Sequence, residues 1–397
     1  PDQSSAASDV YKRQIVLIGV IVFVHELGHF WAARSVGVGV ERFSVGMPPN
    51  FIDFTKTKKG LVVDIFFFAF HKKRIKWKKV FSTTFSSFNT PSETVYTIGL
   101  LPLGGYVKMK GILDESMDSD FKGADDELES KNALQKIWVM SAGVIMNLIL
   151  TFFVFVLIGN LQGDTKVENN DTTIDYVVPE QSAELAGIIS GDKILSIDNI
   201  EVNTWNEAVV IIEKYPNRTI PITVERSEEI LSFEASLGSR PNLSTGRVDQ
   251  QVGALGVSKS QVPVQLNFQE AIVYGFNETK WAMTLMTSSL KMIFQGNVSR
   301  DEVGSVIMIG DMAGQAAQAG LVPFLFLMAL ISVNLAYINI LPIPGLDGGH
   351  IALILIEVLM GKKLSVKARI RIQSVGMFIL LSLMVFLLLN DIIRVFS

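Results

Sequence analysis

Two imidazoles one helical turn apart, with a carboxylate between them, give the sharpest chemical signal in the chain: His25-Glu26-Leu27-Gly28-His29. On a helix, residues four apart share a face, so both rings can reach a single metal ion. Glu26 projects beside them, where a carboxylate can take a proton from water that the metal activates. The chain has four histidines, and two of them fall at this spacing. It has no cysteine, so a zinc ion here must be held by His, Asp or Glu. Two histidines packed at a helix end are the bland alternative. The surroundings oppose it, because Ile15 to Val24 carries no polar side chain and suits a helix in lipid.

Two histidines leave a zinc site one protein ligand short. A third histidine six residues after the second is excluded, because that position holds Ser35. His71 sits in a basic run, a poor place for a cation. A better candidate lies in Asn339-Ile340-Leu341-Pro342-Ile343-Pro344-Gly345-Leu346-Asp347-Gly348-Gly349-His350. There Asp347 is the only acid between Asp311 and Glu357, and it follows a helix broken by two prolines. Irregular backbone at membrane depth is tolerated where it lines a polar cavity, and an ionisable residue there is a site candidate. Asp347 also reads as a plain turn residue before paired glycines. His350 is the weaker ligand candidate and suits a supporting place beside the metal.

The elements that must position these residues are apolar. With 49% hydrophobic and 19% charged residues over 397 positions, the chain is too apolar for an ordinary soluble protein. A net charge of −4 and the lack of a basic stripe argue against a nucleic-acid partner. Residues 1–14 are polar, Ser/Ala-rich and resemble adapter-derived sequence, so they are left out of the fold reading. Four segments read as transmembrane helices: 15–35, 133–160, the apolar start of 322–350, and 374–393. The expected fold class is therefore a polytopic α-helical membrane protein in contact with a lipid bilayer. The loop 36–132 holds Lys72, Lys73, Arg74, Lys76, Lys78, Lys79, Lys108 and Lys110, and the last loop holds Lys362, Lys363, Lys367, Arg369 and Arg371. Loops rich in Lys and Arg stay in the cytoplasm. Both termini and the long loop after the second span are then outside, while His25, His29 and Asp347 share the cytoplasmic side.

Between the spans, Leu61 to Phe70 is apolar and precedes the basic run, as expected either at the headgroup level or for a buried strand with a solvated tail. Residues 98–109 read as a strand interrupted by Pro102 and by Gly104-Gly105. Residues 114–131 are acidic and expected to be mobile. Residues 171–238 alternate short strands and helices, with a hairpin turn at Asp198-Asn199, and resemble an α+β PDZ domain, which binds extended peptide at a sheet edge. Residues 268–320 read as an amphipathic helix on the outer surface followed by a linker. Asn147 lies deep in the second span, where bonding between helices is the simplest role and contact with substrate or behind the metal site is another.

His-Glu-Leu-Gly-His in a first span, Pro-x-Pro-x-Leu-Asp-Gly-Gly after the third, and an intervening PDZ-like unit resemble the site-two protease family of intramembrane zinc metalloproteases. Leu101 to Met109 and Glu41 to Gly46 are similar to stretches of its bacterial sigma-E regulator protease group. The resemblance implies that His25, His29 and Asp347 hold Zn2+ and that Glu26 is the general base. It implies that Asn339, Pro342 and Pro344 line a substrate cleft. It further implies a membrane-dipping β element, with Gly104 and Gly105, that pairs with substrate. Expected partners are transmembrane substrate proteins such as anti-sigma factors or signal peptides, in the bacterial inner membrane. The long insertion over residues 50–92, the single PDZ-like unit and Val303-Gly304-Ser305-Val306 depart from the group's pattern. A membrane-anchored PDZ scaffold with a non-catalytic metal site is the rival reading, and it would need Glu26 or a ligand to be missing. A transporter would need two related halves with paired broken helices, and the sequence has neither.

Overall fold

The first helix ends where the sequence supplies a left-handed residue. Gly37 adopts φ +70°, its N–H donates to Arg34 O at 3.2 Å, and the Val38 N–H donates to Ala33 O at 2.9 Å. Val38 and Ala33 are both buried, which completes the hydrophobic contact of a Schellman stop. The computed structural model describes residues 3–71, 74–85, 94–111, 123–297 and 306–396. Lys72, Lys73, residues 114–122 and Val303-Gly304-Ser305 lie outside them, as does the side chain of His71.

The chain runs α1 (Gln3–Ser35), β1 (Val40–Thr57), β2 (Gly60–His71), β3 (Arg74–Phe85), β4 (Val95–Met109) and α2 (Ala133–Gln162). Then come β5 (Asp164–Val167), β6 (Tyr176–Val177), α3 (Ser182–Ala186), β7 (Lys193–Ile197), β8 (Ile200–Glu201) and α4 (Trp205–Glu213). β9 (Thr219–Arg226), β10 (Glu229–Ser236), β11 (Gly238–Asn242), β12 (Arg247–Ala254), β13 (Val257–Ser258) and β14 (Gln261–Val264) follow. The last elements are α5 (Phe268–Gln295), α6 (Val306–Ala319), α7 (Leu321–Ile340), α8 (Asp347–Met360) and α9 (Val366–Phe396). Among the described residues, four helices are long and apolar enough to cross a membrane, over Leu17–Ser35, Ala133–Gln162, Leu321–Ile340 and Val366–Asn390. The chain divides into two compact units, 1–154 with 299–397, and 155–298.

In the first unit, β1 to β4 form one sheet in the order β3-β2-β1-β4. Strands β1 and β4 each fold back on themselves, so Ser44 has partners in both arms of β4, at Tyr106 and at Thr97. Gly46 lies at the bend of β1 with φ +91°. A Cβ on Gly99 would stand 2.4 Å from Met47 O, so only glycine lets the two bends cross. The arm Gly105 to Met109 pairs with β1 on one side, and among the described residues no strand pairs with its other side. The insertion over 50–92 is thus largely a second hairpin, β2 with β3. Near the start of α2, Glu127 and Glu129 of the stretch expected to be mobile are instead held. Glu127 is buried, and Glu129 accepts from Lys136 Nζ at 2.9 Å and from Arg369. Arg369 also donates to Glu357 at 2.6 Å, tying the starts of α2 and α9 to α8. The stretch expected to be a linker before residue 320 contains helix α6.

The second unit holds an α+β module with strand order β10-β9-β7-β8. Ile174, Ile188, Ile194, Ile197, Ile222 and Val224 are fully buried in it. The β7–β8 turn has Asp198 and Asn199 at φ 50° and 62°, the two left-handed residues of a type I′ turn. The module does not stop at Gly238, because Leu255 completes its core. Strand β13 also pairs with β6 and β14 with β5. Strand β6 is preceded by a single bridge between Thr173 and Lys193. Helix α5 opens on a capping box, with Asn267 accepting from Glu270 N–H at 3.0 Å and Glu270 accepting from Asn267 N–H at 2.8 Å.

Candidate metal centre

Helix α1 presents His25 and His29 on one face, with Nε2 atoms 3.2 Å apart. Asp347, in the first turn of α8, places Oδ2 3.3 Å from each of them. This approach depends on the paired glycines. A Cβ on Gly348 would lie 2.2 Å from Ile340 O, and one on Gly349 would lie 2.2 Å from Ile343 O. Only with hydrogens there can the start of α8 press onto the end of α7. Pro342 and Pro344 stop α7 by lacking the N–H a further turn needs, and Gly345 reverses the chain at φ +97°.

Helix α2 orients both rings from behind. His29 Nδ1 donates to Val139 O at 2.9 Å, and His25 Nδ1 faces the Asn147 amide at 3.3 Å. Val139 and Asn147 are two helical turns apart, so an antiparallel helix meets both imidazoles with one face. Asn147 is fully buried and its Oδ1 has no hydrogen-bond partner. Rotating the amide puts that oxygen against the His25 Nδ1 hydrogen, the pairing a histidine bound through Nε2 requires. Each Nε2 is then a bare acceptor.

Three acceptors converge on one point. Asp347 Oδ2 is buried without a hydrogen bond, and two imidazole lone pairs meet it there. Such a cluster calls for a cation, and no other acid or histidine among the described residues joins the three. Zinc bonds of about 2.0–2.1 Å at tetrahedral angles hold donor atoms roughly 3.3–3.4 Å apart, so the observed triangle of 3.2, 3.3 and 3.3 Å fits zinc.

The cluster opens into a cavity of about 700 Å³ whose wall includes Glu26, Gly105, Tyr106, Lys108, Asn339, Gly345, Leu346 and His350. Glu26 stands beside the strand arm, since a Cβ on Gly105 would lie 3.4 Å from its Cγ. Asn339 lines the cavity with Nδ2 3.3 Å from His25 Nε2. Gly104 is off the wall, at a turn with φ +99°. Pro342 and Pro344 are off it too, and Pro344 packs against Gly376 of α9 instead. His350 lines the cavity outside the ligand triangle, with Gln373 Nε2 3.2 Å from its Nε2. Burial pushes the His350 imidazole below the usual histidine range. The sequence reading missed Val139, whose backbone carbonyl no side-chain pattern can reveal. It also missed Gly143, which pointed to itself only as a small residue inside an apolar span.

Most of the chain matches the model of Peptidase family M50, over residues 14–70 and 65–383. A Campylobacter jejuni protein provisionally named zinc metalloprotease Cj1068 is 33% identical over 97% of this chain and 94% of its own length. The zinc metalloprotease RasP of Shouchella clausii is 27% identical over 96% of this chain and 98% of its own. The regulator of sigma-W protease RasP of Bacillus subtilis is 25% identical over the same shares.

Proposed function

The chain belongs to peptidase family M50, and on that premise we propose that this multi-pass membrane zinc metalloprotease hydrolyses peptide bonds inside the membrane-spanning segments of other proteins. One observation carries the reading: the His25, His29 and Asp347 donors meet at one point, on the wall of a cavity shared with Glu26 and a strand arm at the edge of its sheet. When bound there, zinc lowers the pKa of water to about 7 and polarises the scissile carbonyl. Glu26 takes the proton from the attacking water and returns it to the leaving amine. The side of Gly105 to Met109 that faces away from β1 pairs with an unwound stretch of substrate, replacing the hydrogen bonds of its helix. The Asn339 amide donates to substrate backbone beside His25. A non-catalytic scaffold would lack Glu26 or a ligand, and this chain has all four.

The finer reading extends to topology and selection. The Lys and Arg distribution supports an active site near the cytoplasmic side of the bacterial inner membrane. The module in 171–238, extended to β14, serves as an extracytoplasmic PDZ-like filter, and the folded-back arms of β1 and β4 are the membrane-dipping element. Anti-sigma factors and signal-peptide remnants are the substrates this arrangement suits. The test is purified protein in lipid vesicles with a single-span model substrate. Stoichiometric zinc and cleavage within the span, abolished by chelation and restored by zinc, support the proposal. Cleavage only in the loops of the substrate removes the intramembrane claim.

A further inference from the structure

Hairpin β2–β3 has two chemically different faces. Its register pairs Leu61 with Phe85, Val63 with Thr83 and Ile65 with Phe81, and residues two apart on a strand share a face. One face therefore presents Leu61, Val63, Ile65, Phe81 and Phe85 around a single Thr83, and continues past a bulge to Phe67. The other face carries Asp64, which accepts from Lys79 Nζ at 2.8 Å and from Ser82 Oγ at 2.6 Å. On the apolar face Phe67, Phe81 and Phe85 are 52, 54 and 57% exposed. Toward the far end the hairpin is aromatic on both faces, with Phe68 edge-on to Trp77 at 4.7 Å. Lysines flank the strip: Lys58 and Lys59 are exposed at the turn before Leu61, and exposed Lys78 stands opposite Phe67.

We propose that this hairpin is a lipid-docking element, its apolar face resting at the headgroup–acyl boundary of a leaflet that contains anionic lipid. The four candidate spans among the described residues put a bilayer beside the unit that carries the hairpin. The flanking lysines match the charge of anionic headgroups, and the aromatic end matches the interfacial preference of aromatic rings. Depth follows from the backbone. The strip from Leu61 to Phe67 is only about 20 Å long at roughly 3.3 Å per residue, too short to cross. Strand β3 is also a sheet edge, and an unpaired edge is not tolerated in the hydrocarbon. The hairpin lies flat, with Asp64, Lys79 and Ser82 on the water side. Nothing in this proposal depends on the proteolytic reading.

The chain has no cysteine, so single cysteines label cleanly in the full-length protein. Phe67→Cys and Phe81→Cys report the apolar face, Thr84→Cys the polar one. Each carries an environment-sensitive fluorophore, in vesicles of phosphatidylcholine alone or with phosphatidylglycerol. Stoichiometric zinc in each variant checks the fold. The expected result is that brominated lipid quenches the labels at 67 and 81 while iodide reaches the label at 84. Adding Lys58→Ala, Lys59→Ala or Lys78→Ala should lower the docked-to-undocked ratio by about fivefold per lysine, and only with phosphatidylglycerol present. Equal iodide access to both faces overturns the proposal. So does shielding at 67 and 81 that grows with protein-to-lipid ratio without quenching by brominated lipid, which assigns the face to a second copy.

Discussion

Gly143 leaves no room for a methyl group against His25: a Cβ built on it would stand 2.5 Å from His25 Cε1 and 2.5 Å from His29 Nε2. The contact is reciprocal, since a Cβ on Gly28 would lie 2.5 Å from Ala142 O. Helices α1 and α2 therefore touch through glycine at the level of the metal ligands. Small residues at a helix crossing serve this purpose in membranes. Gly143→Ala should push the imidazoles out of their triangle and weaken zinc on the order of 10–100-fold, the range seen when support behind a ligand is lost. Competition with a chelator of known affinity measures it. Unchanged zinc affinity would mean the helices separate at no cost to the site.

Asn147 should act on the metal through His25 alone. Asn147→Leu removes the partner of His25 Nδ1 and leaves the ring free to turn, so zinc affinity falls on the order of 10–100-fold. Asn147→Asp keeps an acceptor oxygen and restores most of it. If both variants bind zinc like the parent, Asn147 serves only helix packing.

The convergence of His25, His29 and Asp347 was legible because it depends on side-chain type. His25, Glu26 and His29 share a turn, and Asp347 was the lone acid in a long apolar stretch. What surrounds them was hidden because it depends on space and backbone. The carbonyl of Val139 that fixes His29 belongs to any residue, and Gly143 matters through the atom it lacks. Helix α8 was unexpected because Pro342, Pro344 and paired glycines read as a turn, whereas the glycines let a helix begin against α7. Glu127 and Glu129 read as solvated acids because Lys136 and Arg369 are 7 and 240 positions from Glu129. In the second unit the turn at Asp198-Asn199 was readable from local chemistry. The contribution of Leu255 to the core was not, since the strand pairing that brings it back is long-range.

The second unit should lose stability in acid through Asp192. Its side chain is fully buried, with Arg226 Nε 2.7 Å from Oδ1 and the Ile189 N–H donating to Oδ2 at 2.9 Å. Burial alone would raise this carboxyl, but the bonds from Arg226 and Ile189 outweigh it and hold it below the usual value of 3.8. A carboxyl depressed in the folded state stabilises above 3.8 and loses that contribution as pH falls below it. Hydrogen exchange of β7 and β9 in the full chain should accelerate over that window. Asp192→Asn should remove the dependence and cost about 3 kcal/mol, as for a buried pair deprived of one partner. An unaltered acid profile in Asp192→Asn would place the sensitivity elsewhere.

Glu26→Gln separates holding the metal from using it. The ligand triangle does not include Glu26, so the variant should keep stoichiometric zinc. Cleavage of the model substrate should fall by about 10²–10⁴-fold, the typical contribution of a general base. Activity near the parent value would remove Glu26 from proton transfer.

The sharpest prediction concerns which downstream residue completes the site, Asp347 or His350. Both sit on the first turn of α8 and line the same cavity. Asp347 Oδ2 lies 3.3 Å from each imidazole Nε2 and has no hydrogen bond, while His350 is occupied by Gln373. Asp347→Asn keeps the shape and one oxygen but removes the negative charge, so zinc binding should drop sharply. Asp347→Ala should drop further, leaving two histidines where zinc needs three protein ligands. His350→Ala should keep stoichiometric zinc, because the triangle is untouched, and His71→Ala should do the same. Metal analysis of the four purified variants decides the matter. If Asp347→Ala holds zinc as tightly as the parent while His350→Ala loses it, the carboxylate is a turn residue and the third ligand is His350.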